Sequence, residues 1–143
     1  MFAQSKSALM ALFATLIFSS MGFAQVEDFT SKLKSPDAAT RKGAAYSLGR
    51  MGPTARAAVP ELITALKDSD QTVRRSVAIA LGNMGPAARA AIPALTEAFK
   101  TSDVRVKRAA AFALSTMGPL ARQSASALAE AVADKDTGLR VSV

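Results

Sequence analysis

The residues with chemical reach in this chain are cations, and they recur every 33 residues. Lys42, Arg75 and Arg108 make one column, Arg41, Arg74, Lys107 and Arg140 the column just before it, and Arg56, Arg89 and Arg122 a third. Files of like charge attract carboxylates, phosphates or sulfates without reacting with them. The reactive types are missing. With no histidine and no cysteine among 143 residues, the chain has no Ser-His or Cys-His nucleophile pair and no imidazole or thiolate metal ligand. It also lacks an imidazole acid-base group near neutral pH. Glu61, Glu97 and Glu130 fall one per repeat, on exposed helical positions, whereas carboxylate catalysis needs two acids converging in a cleft. No glycine-rich phosphate loop occurs. On these grounds no catalytic, cofactor-binding or metal residue is assigned, and a non-enzyme is expected.

The elements that must position these cations follow from the same period. Asp37, Asp70, Asp103 and Asp136 open successive units, Leu48, Leu81 and Leu114 mark a core column, and Gly52-Pro53, Gly85-Pro86 and Gly118-Pro119 mark the repeat turns. Residues 37–69, 70–102 and 103–135 are three full units and 136–143 the start of a fourth. A period of this size means stacked supersecondary units sharing one elongated core. In the second unit Asp70 is a good N-cap residue, and Val73, Val77, Leu81 and Met84 form one apolar stripe at helical spacing. Gly85-Pro86 then stops the helix. A second helix follows over about Ala87 to Phe99, with Ala88, Ile92, Leu95 and Phe99 on its apolar side. Pro93, like Pro60 one unit earlier, kinks it or restarts it near Ile92. Ser126 holds that column in the third unit, where a straighter helix is expected. Tyr46, Ile79 and Phe112 share a column that reads as core.

Residues 1–24 are written differently. Lys6 precedes an apolar run from Ala8 to Phe18, broken only by Thr15, and Gly22-Phe23-Ala24 offers the small residues a signal peptidase reads. The run is short of the roughly 20 residues needed to span a bilayer as a helix. A cleaved signal peptide is therefore expected, with a periplasmic or secreted product beginning at Gln25 and no stable membrane span afterwards. Absence of cysteine excludes both disulfides and a lipid anchor on an N-terminal Cys. Residues 25–36 are a lead-in whose Phe29 and Leu33 are placed to cover the first repeat. The formal charge of +7 favours partners with an acidic face.

Pro60, Leu62, Leu66, Asp68, Val73 and Arg74 together resemble the HEAT repeat, in which a proline-bearing helix is followed by an Asp and then a Val-Arg pair. The wording from Asp70 to Gly85 is similar to the HEAT-like subclass of the phycobilin (phycocyanobilin) lyase type. The resemblance spans essentially the whole chain after residue 24 and implies an all-α, right-handed α-α superhelix of about three and a half helix pairs. It also implies an Asp-Arg ladder between neighbouring repeats. Here the ladder column reads Ser35, Asp68, Thr101 and Asp134, so two rungs lack their acid unless Asp37, Asp70 and Asp103 serve against Arg41, Arg74 and Lys107. In such solenoids the first helices line the concave side, which would set Lys42, Arg75 and Arg108 side by side as a strip for an acidic ligand.

The function expected from these readings is an exported, non-catalytic scaffold that binds another protein. The alternatives are a lyase-type or other cytoplasmic HEAT-like accessory protein, or an electrostatic binder of an acidic polymer. Nucleic acid is disfavoured as partner, because export separates the two and the chain has no Trp and only one Tyr for stacking bases. Leu139, Val141 and Val143 would leave an apolar edge on the fourth unit. That edge is expected to continue into a longer array, to pair with another copy or a partner, or to fray.

Overall fold

The computed structural model describes residues 3–119 and Ala121. The second helix expected in the third unit, with Arg122, Ser126 and Glu130, falls outside the described residues. So do Asp134, Asp136, Arg140 and the apolar edge at Leu139, Val141 and Val143. Described elements are all helical: α1 Ala3–Lys32, α2 Ala38–Met51, α3 Val59–Ala65, α4 Gln71–Met84, α5 Ile92–Thr101 and α6 Val104–Thr116. Tight 3-10 turns over Gly52–Ala58 and Gly85–Ala91 join α2 to α3 and α4 to α5. The arrangement is a right-handed solenoid of helix pairs. First helices α2, α4 and α6 lie side by side with α4 in the middle, and α3 and α5 form the second layer.

Each first helix begins the same way for the same reason. The carboxylate of Asp37 accepts hydrogen bonds from the Ala39 and Thr40 amides, that of Asp70 from Thr72 and Val73, and that of Asp103 from Arg105 and Val106. These bonds satisfy amides that a helix start leaves without partners, and they place a negative charge at the positive end of the helix dipole. The helices also end alike. Gly52, Gly85 and Gly118 have φ of 57°, 55° and 58°, and ψ of −137° at Gly52 and −135° at Gly85. That conformation is closed to residues with a Cβ, so the turn column needs glycine. Proline then occupies the first turn of the tight segment.

The second helices do not run through their prolines. Ala55 and Ala88 leave helical geometry inside the tight turns, and regular helix resumes at Val59 and Ile92, which places Pro60 and Pro93 in the first turn. There the missing N–H costs nothing, because a first-turn amide has no intrahelical acceptor. Between the layers lies a dry core in which Leu48, Leu62, Val73, Val77, Leu81, Met84, Leu95 and Leu114 are fully buried.

Helix α1 passes without interruption across Ala24 and Gln25. Its C-terminal third caps the stack: Val26 and the following Leu33 are buried and Phe29 packs against the core. Thr30 donates its hydroxyl to the Val26 carbonyl, and Lys32 pairs with Asp28 at 2.6 Å. Further up, Leu9, Met10, Met21 and Phe23 are exposed. No helix among the described residues is long and apolar enough to cross a membrane.

Neighbouring first helices touch through their smallest residues. A Cβ built on Gly49 would come 2.9 Å from the Ala80 Cα, and one on Gly82 would come 3.0 Å from the Ala113 Cα and 2.8 Å from the Phe112 ring. Gly43, in contrast, faces open space. Thr116 reinforces the α4–α6 seam by donating its hydroxyl to the Gly82 carbonyl at 2.9 Å. Two alanine substitutions therefore have opposite expected signs. Gly43→Ala stabilises by about 0.5–1 kcal/mol through helix propensity. Gly49→Ala destabilises by about 1–3 kcal/mol, because backbone has to move to admit the methyl group. Urea unfolding followed by circular dichroism separates them.

Candidate functional site

The outward face of α2, α4 and α6 carries two parallel columns. Lys42, Arg75 and Arg108 are exposed, and four residues further along each helix stand Tyr46, Ile79 and Phe112. Residues four apart on a helix are neighbours on one face, so each cation sits one turn from an apolar side chain. The second column corrects a sequence expectation at two of its three places: Tyr46 is 65% exposed and Phe112 39%, whereas Ile79 is half-buried and packs against the core. Helical phase explains this, since Ile79 lies two residues from core residue Val77 and hence about 200° around the helix. Apolar type suggested core, but the angle sets the column on the same side as the cations.

Between α4 and α6 this face sinks into a groove of about 440 Å³ lined by Arg75, Ile79, Arg105, Arg108, Ala109 and Phe112. No described lining residue is acidic. A smaller hollow of about 70 Å³ between α2 and α4 is lined in part by Tyr46, Ser76, Ile79 and Asn83. A larger one, about 640 Å³, lies across the molecule by Leu33, Lys34, Pro60, Glu61 and Asp68. It mixes charges of both signs, as does its counterpart one unit later, a hollow of about 330 Å³ lined in part by Leu66, Lys67, Ala94, Glu97 and Ala98. The third cationic column, seen at Arg56 and Arg89, lines a hollow at the Gly-Pro turns with Val59, Pro60 and Pro86.

The neighbouring column, Arg41, Arg74 and Lys107, turns inward instead. Arg41 grips Asp68 with two parallel bonds, Nε to Oδ2 at 2.6 Å and Nη2 to Oδ1 at 2.8 Å, while its Nη1 donates to the Ser35 and Pro36 carbonyls. Both side chains are largely buried, and the Asp70 amide also donates to Asp68. One unit later, 27 residues beyond Arg74, the matching residue is Thr101. Arg74 donates to the Asp68 and Ser69 carbonyls and approaches Asp103 only to 3.7 Å. The Asp103 Oδ2 stays buried without a hydrogen bond. Asp37 and Asp70 direct their carboxylates at helix starts, so the acid opposite Arg41 is Asp68. Lys107 is half-buried, and the Asp134 that would face it lies outside the described residues. Glu61 and Glu97 sit on separate second helices.

The sequence profile of HEAT repeats matches residues 26–114 and, in a second register, 59–143. The chain belongs to the HEAT-repeat family. Among curated protein sequences none matches it significantly. Among solved structures, the complex of CpcE and CpcF of phycocyanin lyase from Nostoc sp. PCC7120 contains a chain similar to this HEAT-repeat protein. The two share 32% identity over 75% of this chain and 41% of the other, with a TM-score of 0.66. An engineered protein has the same fold at 24% identity and a TM-score of 0.66, over 80% of this chain and 57% of its own. The HEAT-repeat chain thus matches only part of these two proteins, 57% of the engineered one and 41% of the lyase chain.

The lyase similarity overturns the expectation of a non-enzyme. That expectation came from eliminating reactive side chains within a single chain. The complex of CpcE and CpcF of phycocyanin lyase contains a chain similar to this one, and reacting groups in such an assembly need not all reside in one subunit.

The buried ladder rung has a pH signature. The hydrogen bonds from Arg41 hold the Asp68 carboxyl below its ordinary value of 3.8, and Thr40 and Thr72 do the same for Asp37 and Asp70. A depressed carboxylate contributes stability above its unfolded-state pKa and loses it as pH falls through the folded-state value, so the loss begins near pH 4 and continues below. Asp68→Asn is expected to lower the thermal midpoint at neutral pH and to make the acid-side decline shallower. Melting curves between about pH 7 and about pH 2 check both.

Proposed function

We propose that this HEAT-repeat chain works as one subunit of a lyase-type assembly and docks a second protein chain on the outward face of α2, α4 and α6. The observation that carries the reading is the threefold recurrence of an exposed cation one turn from an apolar side chain, at Lys42 and Tyr46, Arg75 and Ile79, and Arg108 and Phe112, with Tyr46 and Phe112 exposed and Ile79 half-buried. A surface of this composition suits a protein partner: apolar contacts supply affinity, and the charges supply steering and register. The relative in the phycocyanin lyase structure is itself found in a two-chain complex, which supports the same reading. For residues 1–24 we propose, independently of the lyase-type reading and in competition with its cytoplasmic setting, an export signal cut after Ala24. Support comes from the apolar run behind Lys6 and from Leu9, Met10, Met21 and Phe23 standing outside the core.

Site-specific photocrosslinking tests the docking face. A benzophenone side chain in place of Tyr46 is expected to give an adduct with a second protein chain in the producing cell. The same group in place of Ala90, exposed on the turn side, is expected to give none. Equal labelling from both positions, or none from Tyr46, would remove the reading. Edman sequencing of the purified protein decides the leader: a start at Gln25 is expected, and a retained residue 1–24 segment rejects export.

A further inference from the structure

Resting on that docking reading, we infer that the partner segment seated on this face is an acidic amphipathic helix carrying a carboxylate every seventh residue, laid across α2, α4 and α6. Three observations lead there. First, the sign of charge is uniform along the strip. Lys42, Arg75 and Arg108 stand in file, Arg105 adds a further cation at the α6 end, and no acid is among the described residues lining the groove. Second, the strip is two columns wide. Cations and apolar side chains are offset by four helical residues, about 6 Å along each helix. A helix about 10–12 Å across covers both columns at once, whereas a single extended strand presents only one edge row to them. Third, the repeat distance selects a register. Packed helices lie about 8–10 Å apart, and the glycine contacts at Gly49 and Gly82 keep α2, α4 and α6 in direct backbone contact. Along a partner helix, one turn advances about 5.4 Å, too short for successive cations. Seven residues advance about 10.5 Å and return nearly to the same face, which matches with a modest tilt. Apolar residues three or four positions from each acid would then meet Tyr46, Ile79 and Phe112, the last two at the groove of about 440 Å³.

The probe is a synthetic 21-residue helical peptide with Glu at every seventh position and Leu four residues after each. Two comparators are used. One is a peptide of identical composition with the Glu residues redistributed out of register, and the other is a single-stranded oligonucleotide of the same net charge. Binding to the full chain is read by fluorescence anisotropy at low and at physiological salt. The in-register peptide is expected to bind about tenfold or more tightly than its scramble, and to keep that ratio as salt rises. The triple variant K42S/R75S/R108S is expected to lose the preference. Tyr46→Ser, a change at an exposed position that leaves the core intact, is expected to weaken the in-register peptide alone. Circular dichroism of each variant confirms that it is folded.

Equal affinity for the two peptides overturns the inference. So does an oligonucleotide that binds as tightly as the in-register peptide, with all binding collapsing together as salt rises, because that pattern marks a general polyanion surface. The two readings fail separately. A crosslink at Tyr46 without peptide preference keeps the docking face and rejects the acidic helix, whereas loss of the crosslink rejects the face itself.

Discussion

Close contact between first helices is the constraint on which the rest of the molecule depends. Gly49 lies against Ala80, and Gly82 against Ala113 and the edge of Phe112, at distances that leave no room for a methyl group. Helices that meet backbone to backbone cannot slide or rotate independently, so a residue at one phase of α2 has its counterpart at the same phase of α4 and α6. This registration turns a 33-residue period in sequence into straight columns in space. It delivers Leu48, Leu81 and Leu114 to one dry interior and Lys42, Arg75 and Arg108 to one outer face.

Around that packing, polar groups divide their tasks by position. The aspartates at the head of each unit satisfy helix amides, the glycines at the end of the first helices supply a conformation no other residue takes readily, and the prolines sit where a missing amide is harmless. Arg41 and Asp68 close one seam with a forked pair that also ties down the carbonyls of Ser35 and Pro36. Where Thr101 replaces the acid, Arg74 falls back on carbonyl acceptors and a distant Asp103. Successive seams of one solenoid are therefore held by different polar means over a similar apolar core.

Functionally, the described residues offer open grooves along a surface. Its outward strip has one sign of charge and a file of apolar side chains beside it, a composition suited to binding another chain. Elimination of reactive side chains addresses the residues of one chain only. Similarity to a chain in the complex of CpcE and CpcF of phycocyanin lyase means that missing reactive side chains within one chain do not by themselves make it a non-enzyme.

Much of this is legible in residue order alone. Period, caps, turn glycines and the apolar stripe of Val73, Val77, Leu81 and Met84 depend on local backbone preference and helical spacing, which residue order encodes directly, so helix pairs and their stacking could be read from it. The fate of Tyr46, Ile79 and Phe112 could not be read from type, because hydrophobic character says that a side chain prefers burial and not whether a neighbour arrives to bury it. Which acid would meet Arg41 was equally open, with Asp37, Asp68 and Asp70 all at suitable places in the repeat. Only the packing of one unit on the next, which brings residues 27 apart within 2.6 Å, selected Asp68 and left the other two to cap helices.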